Sequence, residues 1–544
     1  MRKANGFTLI ELLAVIIIMA IIALITIPTI LNIIENARKE AFKDSAYGIV
    51  SAAETKYMNS LLGKTSEGLI YEYANGKIVS GEDLDYRGET PKSGRVSITK
   101  EGKIGIAIDN GKWCATKDYD ENEVSLKKLE NNNCILEASE SSNIYDEVTG
   151  INKPQLLTNM IPIKWDENNN EIVTDKNDDE WYAYEEKRWA NAKTEDGSYW
   201  VWIPRYAYKI TSGYHTSTAG TIDIKFLKGN TNESVDGTAI ETSGYKVGVK
   251  DTSTNYFLHP SFDNGNELGY WVAKFEPSVK ENDPCYTDES ETNCNKSNLA
   301  IEILPNKTSL SYISASNAYH VSKNMKDYIG GGTIDSHMMT NLQWGAVAYL
   351  SKSVYGADNQ EVWNNVDYYE HKTGCSGSGV DAVIEYPCVE YNTPNGVKAS
   401  TTHNITGIYD MSGGSYEFVM GNYNNLPANS GFNETELSDL SAQYLTKYKT
   451  PAGQMLNGFG MDYDMGIYGD AMYETSNNAA RDNGSSATGN GAGSWYGDTS
   501  YLPYIYASWV LRGGYYGYGT SAGVFSFENS TGSFASFRPV LSAY

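Results

Sequence analysis

Six cysteines are the residues whose spacing says most about chemistry. They fall into three local pairs, Cys114 with Cys134, Cys285 with Cys294 and Cys375 with Cys388. An even number grouped this way points to local disulfides formed outside the cytoplasm, with neighbour pairing one of several open connectivities. The histidines (His215, His259, His320, His337, His371 and His403) are scattered, and no His-Glu-x-x-His motif exists for a metalloprotease. Gly519-Thr-Ser-Ala-Gly523 matches a nucleophile elbow in letters. After Ser521, however, the chain offers Glu528 as its one acid and no histidine, so no triad follows. The overlapping Gly517-x-Gly519-x-x-Ala522 lacks the acidic residue that a dinucleotide site needs further on. Asp118, Asp120 and Glu123 lack the glycine and terminal glutamate of a strong calcium loop. No catalytic residue, metal or cofactor is therefore expected, and a structural calcium stays open.

Tyrosine is the other conspicuous chemistry. The stretch 495–536 interleaves Tyr496, Tyr501, Tyr504, Tyr506, Tyr515, Tyr516 and Tyr518 with serine, glycine and asparagine. Rigid aromatics among small polar residues are the composition of antibody paratopes, and ring faces also suit sugars. The same tyrosines would equally serve as packing in a fold short of aliphatic side chains. Those two readings make opposite demands on exposure.

The 544 residues are too many for one compact unit and predict two or three domains. Lys+Arg number 43 against Asp+Glu 68, a net charge of -25, and no basic stretch is present, which argues against nucleic acid as a partner. With 42 Tyr and 11 Trp the chain has ample material for cores.

What must position these groups begins at the N-terminus. Arg2 and Lys3 precede a run from Leu12 to Ile34 that carries no charge. As a helix that run spans roughly 35 Å, enough to cross a hydrocarbon core, with the basic end staying inside the cell and the C-terminal bulk outside. Gly6 lies before the apolar run, in Gly6-Phe7-Thr8-Leu9-Ile10-Glu11. This stretch resembles the type IV pilins and the type II secretion pseudopilins. The resemblance implies cleavage after Gly6 by a prepilin peptidase, methylation of the Phe7 amine, and filament assembly in which Glu11 pairs with the Phe7 amine of a neighbouring subunit. Pro28 removes one helical hydrogen bond and permits a kink or a melted turn. Beyond it, Ile34, Ala37, Ala41, Ala46, Ile49 and Ala53 form an approximate helical stripe. Short alternating segments at 96–99 and 103–108, and the Asn110-Gly111 turn, predict a small antiparallel sheet laid on the helix.

Further on, Ser198–Arg205 and Gly269–Glu276 read as buried aromatic strands and Thr340–Ser351 as an amphipathic helix. Gly407–Val419 reads as strand, glycine turn and strand. The box Gly407-x-Tyr-Asp-Met-x-Gly-x-x-x-Glu417, the Arg512-Gly-Gly514 triplet and the terminal Phe537-Arg-Pro-Val540 resemble the C-type-lectin-like fold of the formylglycine-generating-enzyme superfamily. The oxidase members place reactive cysteines between the last two boxes, whereas Tyr515–Ser536 contains none. The resemblance thus implies a fold with Glu417, Arg512 and Arg538 as framework residues and without the oxidation.

The expected architecture is α+β: a leader over 1–6, a transmembrane and filament-core helix over 7–62, a pilin-type β domain over 63–137, a linker over 138–155 and a lectin-like domain over 156–544. The expected function is a minor pilin-like surface protein displaying a ligand-binding or adhesion domain, with other pilins, prepilin peptidase, the membrane and a surface glycan or protein as partners. A pseudopilin of a secretion machine is the second reading, and a filament-borne enzyme the third.

Overall fold

The computed structural model describes residues 9–544 except 63–68, 75, 81–83, 99–101, 120–122, 130–133, 135–143, 158, 177, 242–254, 263–267, 330–333, 449–467, 478–492, 504–505 and 544. For most of 9–33, and for a few positions at element ends, only the backbone is described. The chain divides into two compact units, Met1–Ser142 and Asn143–Tyr544.

The first unit is built on a helix of 54 residues, Leu9–Leu62, about 80 Å long at the helical rise. Helical backbone continues through Pro28 with no melted turn. Large apolar side chains stand exposed on its first half, among them Leu13, Ile17 and Met19. The second half buries Phe42, Ala46, Ile49 and Ala53 against Tyr71, Val96, Ile106, Ile108 and Ala115 of the sheet. The buried stripe therefore begins at Phe42. Ile34, Ala37 and Ala41, expected on it, are exposed, because the sheet meets only the later turns.

That sheet has six strands, running in spatial order Lys77–Ser80, Leu69–Ala74, Ser93–Ile98, Ile104–Asp109, Trp113–Lys117 and Ser125–Lys128, and its pairings are antiparallel. The Asn110 side chain fixes the expected hairpin by accepting from the backbone N–H groups of Lys112 (3.1 Å) and Trp113 (2.9 Å). Cys114 is bridged to Cys134.

The second unit carries its own core. Its largest sheet runs Ile334–Met338, Pro539–Ala543, Gly269–Ala273, Tyr199–Pro204, Asn191–Lys193, Ile161–Trp165 and Glu171–Val173. The two expected aromatic strands lie side by side, Trp202 opposite Trp271, and both are buried along their length. The C-terminal strand Pro539–Ala543 pairs with Gly269–Ala273 in the middle of this sheet, which locks the end of the chain into the core. A second sheet holds Thr446–Tyr448, Glu417–Tyr423, Trp509–Arg512 and Phe527–Ser530, with Ser536–Phe537 parallel to Glu417 and Phe418.

Helix Asn341–Lys352 begins at a capping box formed by Thr340 and Gln343. All twelve of its residues are buried, so it is a central helix buried on every face rather than the amphipathic helix expected over Thr340–Ser351. Segment 407–416 also departs from expectation. It forms turns rather than a first strand, and the strand starts at Glu417. Residues 144–155, expected as linker, pack onto the large unit: Tyr145 bridges Asn152, whose buried side chain donates to the carbonyls of Gly229 (2.9 Å) and Leu268 (2.8 Å). The architecture is α+β, mostly sheet with few helices, as the sequence leads one to expect.

Candidate functional site

The three sequence boxes converge on one buried framework. Arg538 is fully buried and donates from Nε to Glu417 Oε2 (3.0 Å), from Nη2 to Glu417 Oε1, and to the carbonyls of Ala273 (2.8 Å) and Tyr409 (3.0 Å). Two further acids share this interior. Asp410 accepts from the Asn365 side chain (2.9 Å) and the Gly374 N–H (2.8 Å), and Glu276 accepts from the Ser415 N–H (3.0 Å). Burial pushes Glu417 up to about 7, and pushes Glu276 and Asp410 upward, Glu276 helped by the neighbouring carboxylates. Arg512 is also fully buried, donating to Asn341 Oδ1 and the Val524 carbonyl (3.3 Å each), and burial lowers it to about 10.

This interior holds two glycine turns together. Gly413 donates to the Gly513 carbonyl (3.0 Å), and Tyr516 donates to the Gly414 carbonyl (2.9 Å). Gly413 has φ 71°, and a Cβ there would lie 2.3 Å from the Asn365 carbonyl oxygen, so a side chain is excluded twice over. The turns thereby fix where the segment Tyr516–Ser521, a short 3-10 turn, leaves the core.

On that segment stands a cluster of phenol rings. Tyr515 lies 4.7 Å from Tyr516 and 4.4 Å from Tyr518 between ring centroids, and stacks on Tyr416 at 5.2 Å. Tyr516 reaches Tyr368 (5.1 Å) and His371 (5.4 Å), Tyr368 reaches Tyr369 (5.2 Å), and Tyr369 reaches Tyr386 (5.3 Å). The rim of this chain is open to solvent, Tyr368 being 44%, Tyr369 66% and Tyr386 59% exposed. Its inner members are half-buried. Tyr416 donates to the Tyr518 hydroxyl, and Glu528 lies within 3.4 Å of Tyr416. Burial raises both phenols and the Glu528 carboxyl. Both phenols therefore stay protonated near pH 7, so the surface presents hydroxyls and ring faces.

The outer tyrosines are positioned by local devices. Asp367 accepts from the N–H groups of Tyr369 (3.3 Å) and Lys372 (3.0 Å). Tyr386 is carried by the loop that the Cys375–Cys388 bridge closes. That loop lies against the tyrosine segment: a Cβ on Gly519 would meet Val383 at 2.8 Å, and the Asn364 side chain bridges the two by donating to the Gly519 carbonyl and to the Val380 carbonyl (2.8 Å). The remaining pair, Cys285 and Cys294, is bridged elsewhere.

Of the seven tyrosines singled out in the sequence, Tyr515, Tyr516 and Tyr518 come together. Tyr504 lies outside the described residues. Tyr506 is 71% exposed and Tyr501 is half-buried, its N–H donating to the Phe527 carbonyl (2.8 Å). Tyr496 stacks on Phe525 and lines a separate cavity. Sequence reasoning missed Tyr368, Tyr369, Tyr386 and Tyr416. The adjacent pair Tyr368-Tyr369, just before a cysteine-closed loop, is the signal that would have found them.

The signal residues Gly6 and Phe7 lie outside the described residues, as do the side chains of Glu11 and Pro28. Among the described residues no helix is long and apolar enough to cross a membrane, most side chains of the uncharged run standing outside that set. Asp120 of the acidic trio is likewise not described. Residues 1–27 match the family described as the prokaryotic N-terminal methylation motif. The chain therefore carries a prepilin signal of the pilin and pseudopilin type. No curated protein matches the chain.

Proposed function

We propose that this protein is a minor pilin-like subunit that carries a lectin-like unit to the cell surface and presents its tyrosine face as a ligand-binding or adhesion surface. In this reading the prepilin peptidase cleaves after Gly6, Phe7 is methylated, and the apolar helix passes from membrane to filament with the large unit outside the cell. The observation that carries the binding half is the run of touching rings from Tyr518 to Tyr386. Its outer members are open to water, and it is braced by the buried Arg538–Glu417 ion pair and two glycine turns. An exposed apolar surface of this kind is costly to leave unoccupied, and rigid aromatic anchors lose little entropy on binding. Hydroxyls and ring faces together suit a sugar or a polar protein surface, and binding needs no catalytic group.

The test is a glycan and surface-protein binding screen with the full chain and with residues 143–544, which hold a complete core of their own. Tyr369→Ala and Tyr516→Ala, each in a fold that unfolds at the wild-type temperature, should weaken capture about tenfold, as expected of aromatic anchors. Unchanged capture by both variants would contradict the assignment of this face.

A further inference from the structure

A second cavity shares no lining residue with the tyrosine face. Lys352, Gln360, Glu361, Tyr496, Asp498 and Phe525 line it. Its interior measures about 20 Å³, room for one or two water-sized occupants and too little for a sugar ring.

Three oxygens in this cavity lack hydrogen-bond partners: Asp498 Oδ1, Glu361 Oε1 and the Tyr496 hydroxyl. Asp498 is only 1% exposed. Its other oxygen accepts from the Phe525 N–H at 3.0 Å, and Gly523 stands so close that a Cβ there would lie 2.2 Å from Oδ2. The carboxylate is thus fixed in place, with one oxygen unsatisfied.

The cavity's own cation, Lys352, stands over the Tyr496 ring, its Nζ 5.0 Å from the centroid, and bonds away from the two acids. Lys352 Nζ donates to the Asp358 carbonyl (3.1 Å) and Asn359 Oδ1 (3.3 Å), and no ion pair among the described residues joins it to either acid. Burial, and then the nearby Glu361 charge, push Asp498 well above the usual carboxylate range, while burial alone lifts Glu361 to about 7. The Arg512 charge eases Asp498 in part, but two desolvated acids that form no ion pair among the described residues are an unfavourable arrangement that a bound cation would relieve. The cavity also lies at the C-terminal end of helix Asn341–Lys352, where the aligned carbonyls favour positive charge.

We propose that this cavity binds one calcium-type divalent cation through Asp498, Glu361 and the Tyr496 hydroxyl, water completing the coordination. The donors are all oxygen, two carboxylates balance a double charge, and the space suits a single ion. Calcium tolerates such an irregular set, whereas magnesium demands a near-ideal octahedron.

The test is calorimetric titration of the full chain with calcium alone, after removal of divalent ions, with magnesium as competitor. One saturable site with an affinity of about 10⁻⁴ to 10⁻³ M is expected, the range of extracellular calcium modules. Asp498→Asn and Glu361→Gln should each weaken it about tenfold or more. In chelator, Asp498→Asn should melt no lower than wild type, since the amide oxygen can still accept from the Phe525 N–H without burying an acid beside Glu361; a carboxylate with a purely structural role would make that variant melt lower. Glu361, being less buried, provides the reading should Asp498→Asn fail to fold. Absence of saturable calcium uptake, stronger binding of magnesium, or wild-type affinity in folded Asp498→Asn and Glu361→Gln would overturn the proposal.

Discussion

Glu11 is the one acid in the first 34 residues, and an unpaired carboxylate at the edge of an apolar helix costs on the order of a few kcal/mol. If the Phe7 amine of a neighbouring subunit is its partner, Glu11→Ala should enter filaments several-fold less than wild type, read by immunoblot of sheared filaments. Equal incorporation would contradict the pairing. A second residue with a defined consequence is Glu474. It is buried, accepts from the hydroxyls of Tyr208 (2.9 Å) and Tyr349, and burial pushes it up to about 8 from the ordinary 4.5. A carboxyl raised on folding holds its proton in the native state after the unfolded chain has lost it. Its contribution is complete below the unfolded value and is lost as pH rises towards about 8. Denaturant titrations should therefore show the large unit more stable at pH 5 than at pH 8, by on the order of a few kcal/mol, and Glu474→Gln should flatten the slope. Greater stability at pH 8 would contradict it. Arg538 belongs to the same scale. Arg538→Met would leave Glu417 buried and unpaired beside Asp410 and Glu276, at a cost of about 3–5 kcal/mol by the same titration. The sequence marks Arg538 and Arg512 through the boxes that resemble the lectin-like fold, and both are buried and donate to backbone carbonyls. That Asp410 and Glu276 share the Arg538 interior was not legible, since proximity across 128 or more positions is written in topology and not in spacing.

Among elements, those with strong local codes were readable. The Asn110-Gly111 hairpin and the buried aromatic strands stand where periodicity and turn chemistry put them. Helix Asn341–Lys352 was readable in position but not in environment, because Lys352 and Gln343 look like a polar face until neighbouring elements bury them. Likewise Phe42, not the small-residue stripe before it, opens the buried face of the N-terminal helix, and nothing local says where the sheet will begin to cover it. Phe42→Ala should destabilise this unit by about 3–5 kcal/mol, measured by unfolding of residues 34–134. The tyrosine face was half legible for a related reason. Tyr515, Tyr516 and Tyr518 lie within one segment, whereas Tyr369 and Tyr386 join them through the Cys375–Cys388 loop. The double variant Cys375→Ser/Cys388→Ser should consequently lose ligand capture several-fold while its far-ultraviolet dichroism stays near wild type. Full capture by that variant would detach Tyr386 from the site.

For the whole molecule, the chain divides at Ser142 and Asn143 into a unit with a 54-residue helix and its small sheet and a unit nearly three times as long. A subunit with that much mass outside the helix crowds its neighbours in a helical polymer, so sparse incorporation is expected; filaments made mainly of this chain would contradict it. The prepilin signal and the α+β class were both legible at this scale, because charge, cut site and apolar length coincide at one end of the chain. The central claim, that the chain is cut and passes from bilayer into filament, is tested most directly by mass spectrometry of the N-terminal peptide from sheared surface filaments. The account predicts a peptide beginning at N-methylated Phe7 in the filament fraction. Recovery of the chain solely as intact Met1-containing protein in the membrane, with none in filaments, would contradict it.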